Sequence, residues 1–251
     1  MAKPQEPFFV GWGKVPKALK NFLMLSTVSF VVSFAVAAFA ISATQTDTGS
    51  GAFMGRANAI GVLRVDPYPV LHVIESDKFE TGDVVLLSGG GKRGVFNRAV
   101  GLDGEVMQIS GLRMARGDLD GLQLRGGMRG LSGATNPDPD FEIEVTQLGR
   151  WKLTGEICDG KCYAGAMRPG NGLAHKACAN LCLIGDVPPV FVSSGPVDGE
   201  EFMLMAGADG KRLGDEILDF TATYVEIEGD IERRGNMLVF KIDTDTLRLA
   251  Q

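Results

Sequence analysis

The residues of this chain best suited to chemistry are its four cysteines, which all lie in one short stretch of the second half. They are Cys158, Cys162, Cys178 and Cys182, and one of the two histidines, His175, stands three residues before Cys178. Such clustering indicates one unit, either a pair of disulfides or a thiolate-rich metal site. The redox compartment of the chain bears on the choice.

The elements around the cysteines suggest how they meet. Residues 173–183 read as a short helix, so Cys178 and Cys182, four residues apart, share one helix face. Cys158 ends a predicted strand, and Cys162 follows a turn. We therefore expect disulfides that link Cys158 and Cys162 to Cys178 and Cys182, each worth about 2–4 kcal/mol. His175 then stands at the rim.

Two other chemistries stay open for the same atoms. Cys158, Cys162, His175, Cys178 and Cys182 are also candidate ligands for zinc or copper, in which case a metal is the cofactor. A thiol–disulfide oxidoreductase is a further alternative, although both pairs are C-x3-C and not C-x-x-C. Covalent c-type haem is excluded because no C-x-x-C-H occurs.

The N-terminal region indicates where the chain resides. An uncharged run from Phe22 to Ile41 is about 20 residues long, enough for a helix to cross a bilayer, and it predicts a transmembrane anchor at 21–43. Lys14, Lys17 and Lys20 precede it, so residues 1–20 form a cytoplasmic tail. The chain is then a single-pass protein of the inner membrane with its C-terminal domains on the periplasmic side. A cleaved signal peptide is the alternative, and both topologies favour disulfides.

The exported part is acidic. The net charge is −6, and because the first 20 residues hold four lysines and one glutamate, the remainder is more acidic still. Nucleic-acid partners are not expected, since their binding depends on cations that neutralise phosphates.

Two copies of one strand pattern follow the anchor. The first runs from a strand at 61–66 to a run at 122–124, and the second from 154–159 to 237–242. Lys92 and Lys211 are 119 residues apart, but Gly61 and Gly155 only 94. The second copy therefore contains an insertion after its first strand, and that insertion carries the cysteines.

Each copy has about five short strands bounded by Gly, Pro and Asp, a pattern typical of a small barrel. We expect a mainly β chain with an N-terminal transmembrane helix and two tandem OB-like β-barrels, the second with a Cys-rich helical insertion at 158–184. A β-sandwich is the alternative. The expected domains are a tether at 44–55, barrel 1 at 56–125, a linker at 126–149 and barrel 2 at 150–251.

The insertion resembles a family of small secreted bacterial OB-like domains with the pattern D-x-x-C … H-x-x-C-A-x-x-C. The matching residues are Asp159, Cys162, His175, Cys178 and Cys182, within residues 150–245. The family is mostly of unassigned function, so the resemblance implies fold and export. Cys158 departs from the pattern, in which three cysteines are usual.

Nothing else in the sequence forms a recognisable catalytic constellation. Ser193 and Ser194 have no histidine nearby, and His72 reads as a strand residue that faces solvent or a neighbour. The glycine-rich loop from Gly89 to Gly94 lacks the spacing of a phosphate loop and is predicted as a hairpin turn. The favoured function is a membrane-anchored extracytoplasmic accessory protein with a protein partner, such as a subunit of a membrane redox or transport complex. A zinc- or copper-binding module is the alternative.

Overall fold

Among its described residues, the N-terminal unit contains one apolar helix. The computed structural model describes residues 17–43 and 49–250, and the chain divides into units at 1–47 and 48–251. Helix α1 (Lys20–Ala43) has 24 residues, about 36 Å at 1.5 Å per residue. None of its residues is buried, and Phe34 and Phe39 are 72% and 75% exposed. A helix that is apolar on all sides is stable in lipid and not in water. α1 has this character, and it is long and apolar enough to cross a membrane. The predicted cytoplasmic tail lies mostly outside the described residues.

The second unit contains two sheets whose strands are mostly antiparallel. The first comprises β1 (Ala52–Arg64), β2 (Val70–Ser76), β3 (Val84–Ser88), β4 (Val106–Arg116), β5 (Leu119–Leu124) and β6 (Leu131–Gly133), with the short helix α2 (Phe96–Ala99) after β3. The second comprises β7 (Val145–Asp159), β8 (Pro189–Val197), β9 (Glu200–Gly207), β10 (Tyr224–Arg234) and β11 (Met237–Leu249), with α3 (Lys176–Ile184) between β7 and β8. The predictions of a mainly β chain and of an N-terminal apolar helix are confirmed.

The two sheets share one pairing scheme. In the second sheet β7, β8, β9, β11 and β10 pair in that order, and β10 returns to β7 to close a barrel. In the first sheet β1, β2, β3, β5 and β4 pair in the same order, and β4 returns to β1. The third and fifth strands are parallel in both sheets, and the other pairs are antiparallel. Each strand predicted from sequence overlaps an observed strand.

Glycines at equivalent positions permit this coiling. A Cβ atom on Gly61 would lie 2.0 Å from the His72 carbonyl oxygen, and one on Gly155 would lie 2.1 Å from that of Val192. Gly111 and Gly229 meet the carbonyls of their fifth strands in the same way, at 2.2 and 2.3 Å. No side chain fits at such distances, so these glycines are required where the partner backbone approaches closely.

A shared apolar core joins the two sheets. One face of β2 and β3 contributes Val70, Val84 and Leu86, and these pack against Val190, Phe202 and Leu204 from β8 and β9. Each sheet also encloses its own core, with Leu63, Leu87 and Ile109 fully buried in the first and Phe191, Met203 and Phe240 in the second.

Two segments expected to lack regular structure contain strands. β1 begins at Ala52, in the expected tether, because Ala52 pairs with Ala115 of β4. β6 and the first residues of β7 occupy the expected linker, where Met107 pairs with Gly133 and Val145 with Arg234. The start of the tether, residues 44–48, lies outside the described residues.

Candidate metal centre

The cysteine insertion folds as three short turns of different pitch. A π-helical turn, Cys162–Ala166, follows β7, and a 3-10 turn, Leu173–His175, leads directly into α3. The helix predicted at 173–183 is thus confirmed. Cys178 and Cys182 lie one turn apart on α3, and their face meets Cys162 at the start of the π-helical turn.

Three of the four cysteine sulfurs form a cluster. The Sγ atom of Cys162 lies 4.0 Å from that of Cys178 and 3.9 Å from that of Cys182, and all three lie within 4.8 Å of one another. Cys162 and Cys182 are buried, whereas Cys178 is partly exposed. We call these three residues the sulfur cluster. The hydrogen bond between Cys162 and Cys182 lowers the pKa of Cys182 and raises that of Cys162.

Cys158 belongs to different surroundings. Its side chain is 1% exposed and packs in the apolar core between the sheets, and its Sγ atom lies 3.4 Å from Glu156 Oε1. Burial holds the pKa of this thiol well above its usual range. All four cysteines are free thiols, so the disulfides expected between Cys158 or Cys162 and Cys178 or Cys182 are not formed. For Cys158 the alternation of β7 is the reason, because it directs this side chain into the core between the sheets, whereas Cys162 lies beside the cysteines of α3 without a bond to them.

A buried carboxylate and imidazole support the cluster from behind. Asp159 is fully buried, accepts a hydrogen bond from the Cys162 backbone N–H at 2.8 Å, and places its other oxygen 3.1 Å from His175 Nε2. Ligand atoms of Asp159, Cys162 and His175 form a second group within 4.8 Å of one another. Cys162 is common to both groups, and His175 is not in the group of three sulfurs. His175 is only 3% exposed, so it is buried beside Cys162 and not at the rim of the cluster.

The glycine-rich loop of the first sheet brings a lysine to the sulfurs. Lys92 Nζ donates to Cys178 Sγ at 2.6 Å and lies 4.0 Å from Cys182 Sγ. Its hydrogen bond to Cys178 raises the pKa of Lys92. Lys161, whose pKa is lowered by burial, donates to the carbonyls of Gly89 and Gly91 at 2.6 and 2.7 Å. The glycine-rich loop, expected to be only a hairpin turn, therefore places the positively charged Lys92 ammonium against the cluster.

A thioether also reaches the cluster. Met167 directly follows the π-helical turn, and its Sδ atom lies 3.3 Å from Cys178 Sγ. Sequence reasoning missed Met167 and Lys92. A methionine in a Gly- and Pro-rich loop, and not in a strand or helix, was the available signal for Met167. Lys92 is 86 residues from Cys178, and no local pattern links them.

His72 is placed apart from these residues. It is 2% exposed in β2, so it does not face solvent, and its Nε2 atom has no hydrogen-bond partner among the described residues. Burial, with the charges of Arg234 and Arg64, lowers the pKa of His72 to about 4. It is a neutral core residue at physiological pH.

No known protein family, curated protein or solved structure matches this chain at a significant level. The atoms of the insertion themselves therefore indicate its chemistry. Three thiols, a thioether and a lysine ammonium meet at one place, in front of a buried Asp159–His175 pair. Such a set can bind a thiophilic cation or undergo thiol oxidation.

Proposed function

We propose that this protein is a membrane-anchored extracytoplasmic module that binds one thiophilic metal ion, zinc or copper, through Cys162, Cys178 and Cys182. The observation that carries the proposal is the separation of the three sulfurs, with Cys162 at 4.0 and 3.9 Å from the other two. The metal reading is thus favoured over the disulfides expected from the sequence.

The sulfur separations are those of a coordination sphere. With metal–sulfur bonds of about 2.3 Å, ligands of a tetrahedral ion stand about 3.8 Å apart and those of a trigonal ion about 4.0 Å apart. A disulfide requires about 2.05 Å between sulfurs. A metal therefore needs little movement of the chain, whereas a disulfide needs a shift of almost 2 Å.

Electrostatics and the layer behind the ligands also suit a bound metal. Up to three thiolates around one cation leave negative charge, which the Lys92 ammonium, 2.6 Å from Cys178 Sγ, would partly offset. The Asp159–His175 pair fixes the backbone of Cys162, as outer residues of metal sites commonly do. In an oxidising compartment a bound metal would also protect thiols that otherwise oxidise.

We infer that both sheets are OB-type barrels, because their strand order and the return of the fourth strand to the first are those of five-stranded Greek-key barrels. OB-folds bind oligonucleotides on the face of strands 2 and 3. Here β2 and β3 pack against β8 and β9, so that face is used internally. The internal use of that face and the acidic charge of the chain support a protein partner over a nucleic acid. If the N-terminus lies in the cytoplasm, this partner would be a periplasmic or membrane complex of redox or transport function.

The test is a metal count on cysteine variants. Full-length protein in detergent, purified without reductant, should bind one equivalent of Zn(II) or Cu(I). Cys162→Ser, Cys178→Ser and Cys182→Ser should each lose most of it. Cys158→Ser is the matched control and should retain the metal, because Cys158 lies outside the cluster. Equal metal content in all four variants, or none in the parent protein, would contradict the proposal.

One observation favours thiol chemistry as a second candidate. Cys178 is the partly exposed member of the cluster and lies 2.6 Å from an ammonium, an arrangement that promotes thiolate reactivity. Cys162, near both other sulfurs, would be its partner in a disulfide. A Cys162–Cys178 disulfide in the parent protein, with no metal bound, would support this candidate instead.

A further inference from the structure

A thioether lies beside the sulfur cluster. Met167 Sδ lies 3.3 Å from Cys178 Sγ, on the partly exposed side of the cluster. Met167 is 44% exposed, although it is a large apolar residue on an otherwise folded insertion. Other apolar residues of the insertion, such as Leu173 and Ile184, are more exposed still, so the contact between the two sulfur atoms, and not the exposure, is what distinguishes Met167.

The nitrogen donors nearby are less suited to the fourth position. His175 is grouped with Cys162 and Asp159 but not with all three sulfurs, so it stands near one thiol of the cluster and not near the whole set. The Lys92 ammonium has no lone pair to donate. Of the donors near the cluster, the Met167 thioether is the one that contacts Cys178, the partly exposed thiol.

We propose that the ion is Cu(I), with Met167 as the fourth, weaker ligand beside Cys162, Cys178 and Cys182. This inference rests on the proposed function and adds the identity of the metal. Thiolate and thioether donors are soft and select Cu(I), whereas closed zinc sites use Cys, His and carboxylate ligands. The metal enters as Cu(I), so no electron is transferred, and thiols that ligate release their protons to solvent. The exposed thioether and Cys178 form the entry side of the site.

Selenium labelling tests the assignment directly. Full-length protein, with all ten methionines replaced by selenomethionine, is loaded anaerobically with one equivalent of Cu(I) in detergent. Copper-edge X-ray absorption should then detect sulfur neighbours and one selenium neighbour. Met167→Leu, a change of similar volume, should remove the selenium signal and weaken Cu(I) binding about ten- to a hundredfold, the range seen when supporting residues of metal sites are lost. Zn(II) affinity should be unchanged. Met128→Leu is the control, because Met128 is 76% exposed in the turn between β5 and β6, and it should keep the signal.

The outcomes separate this inference from the proposed function. Cu(I) bound with sulfur neighbours but no selenium, together with an unaltered affinity in Met167→Leu, would overturn the role of Met167 and leave the cysteine centre intact. Tighter binding of Zn(II) than of Cu(I) in a direct competition would overturn only the choice of copper as the metal and would leave the proposed metal site standing. Failure to bind either ion would overturn both.

Discussion

At the scale of single residues, Asp159 is the group that would support the proposed metal centre without being one of its three sulfur ligands. Its two oxygens hold the Cys162 backbone and the His175 ring, and it is fully buried. Both contacts would be lost on truncation, whereas the three thiols would remain. Asp159 therefore acts as a positioning residue.

We expect Asp159→Ala to weaken metal binding about ten- to a hundredfold, as loss of outer residues does in other metal sites. The free energy of unfolding should also fall by about 1–3 kcal/mol, because the Cys162 N–H and the His175 ring lose their partner. Chelator competition and urea unfolding measure the two effects. Asp138→Ala is the control, since Asp138 is an exposed loop acid. An unchanged metal affinity in Asp159→Ala would show that Cys162 needs no such support.

His72 makes stability depend on pH. Its pKa is lowered to about 4 in the folded state, against about 6.5 when unfolded. The unfolded chain therefore takes up the proton first as the pH falls. The contribution of neutral His72 to the free energy of unfolding is fully present above about pH 6.5, and about 3 kcal/mol of this free energy is lost between pH 7 and pH 4. Urea unfolding at both pH values measures this. His72→Gln should be less pH-sensitive by that amount, and an equal pH dependence in both proteins would contradict the assignment.

At the scale of elements, the glycine-rich loop and helix α3 are fitted to each other. The Gly94 backbone N–H donates to the Gly185 carbonyl at 2.6 Å, just beyond the end of α3. A Cβ atom on Gly185 would lie 1.9 Å from the Lys92 carbonyl oxygen, which leaves no room for a side chain. The docking of this loop sets the position of the Lys92 ammonium over the cluster.

We expect Gly185→Ala to force the loop away from α3, even though the φ angle of Gly185, −85°, suits any residue. The steric clash should lower the free energy of unfolding by about 1–3 kcal/mol. The matched control is Gly90→Ala in the same loop, because a Cβ atom there meets nothing within 4 Å, and its effect should stay within about 0.5 kcal/mol. Equal unfolding midpoints for the two variants would mean that the loop does not dock.

The sequence predicts the strands better than the site, for physical reasons. Strands with alternating residues, such as β10, and glycines such as Gly111 and Gly229 carry local signals. Residues 52–55 lack alternation, and up to residue 58 the strand is paired with β4 alone. Cys158 is a neighbour of Cys162 in sequence, yet strand geometry sends it to another core. Lys92 joins the cluster through the packing of the two sheets, which no local pattern encodes.

At the scale of the whole molecule, the proposed topology places the metal centre outside the cytoplasm. α1 is long and apolar enough to cross a membrane, and four lysines precede or begin it. We expect a tag fused after Gln251 to be digested by protease in intact spheroplasts, and a tag before Met1 to be protected. The control is detergent-opened spheroplasts, in which both tags are digested. Protection of the C-terminal tag would reverse the orientation, and release of the body into the soluble fraction would indicate a cleaved signal peptide.

Native mass spectrometry of the full-length chain, released from detergent without reductant, tests the central claim most directly. We expect the mass of the chain plus one metal ion with four unoxidised cysteines, because three sulfurs are gathered within 4.8 Å of one another and Cys158 is buried in the core. Denaturation in a chelator should then remove the metal and free all four thiols for alkylation. A metal-free mass, lower by about two hydrogens for each disulfide formed, would contradict the metal centre.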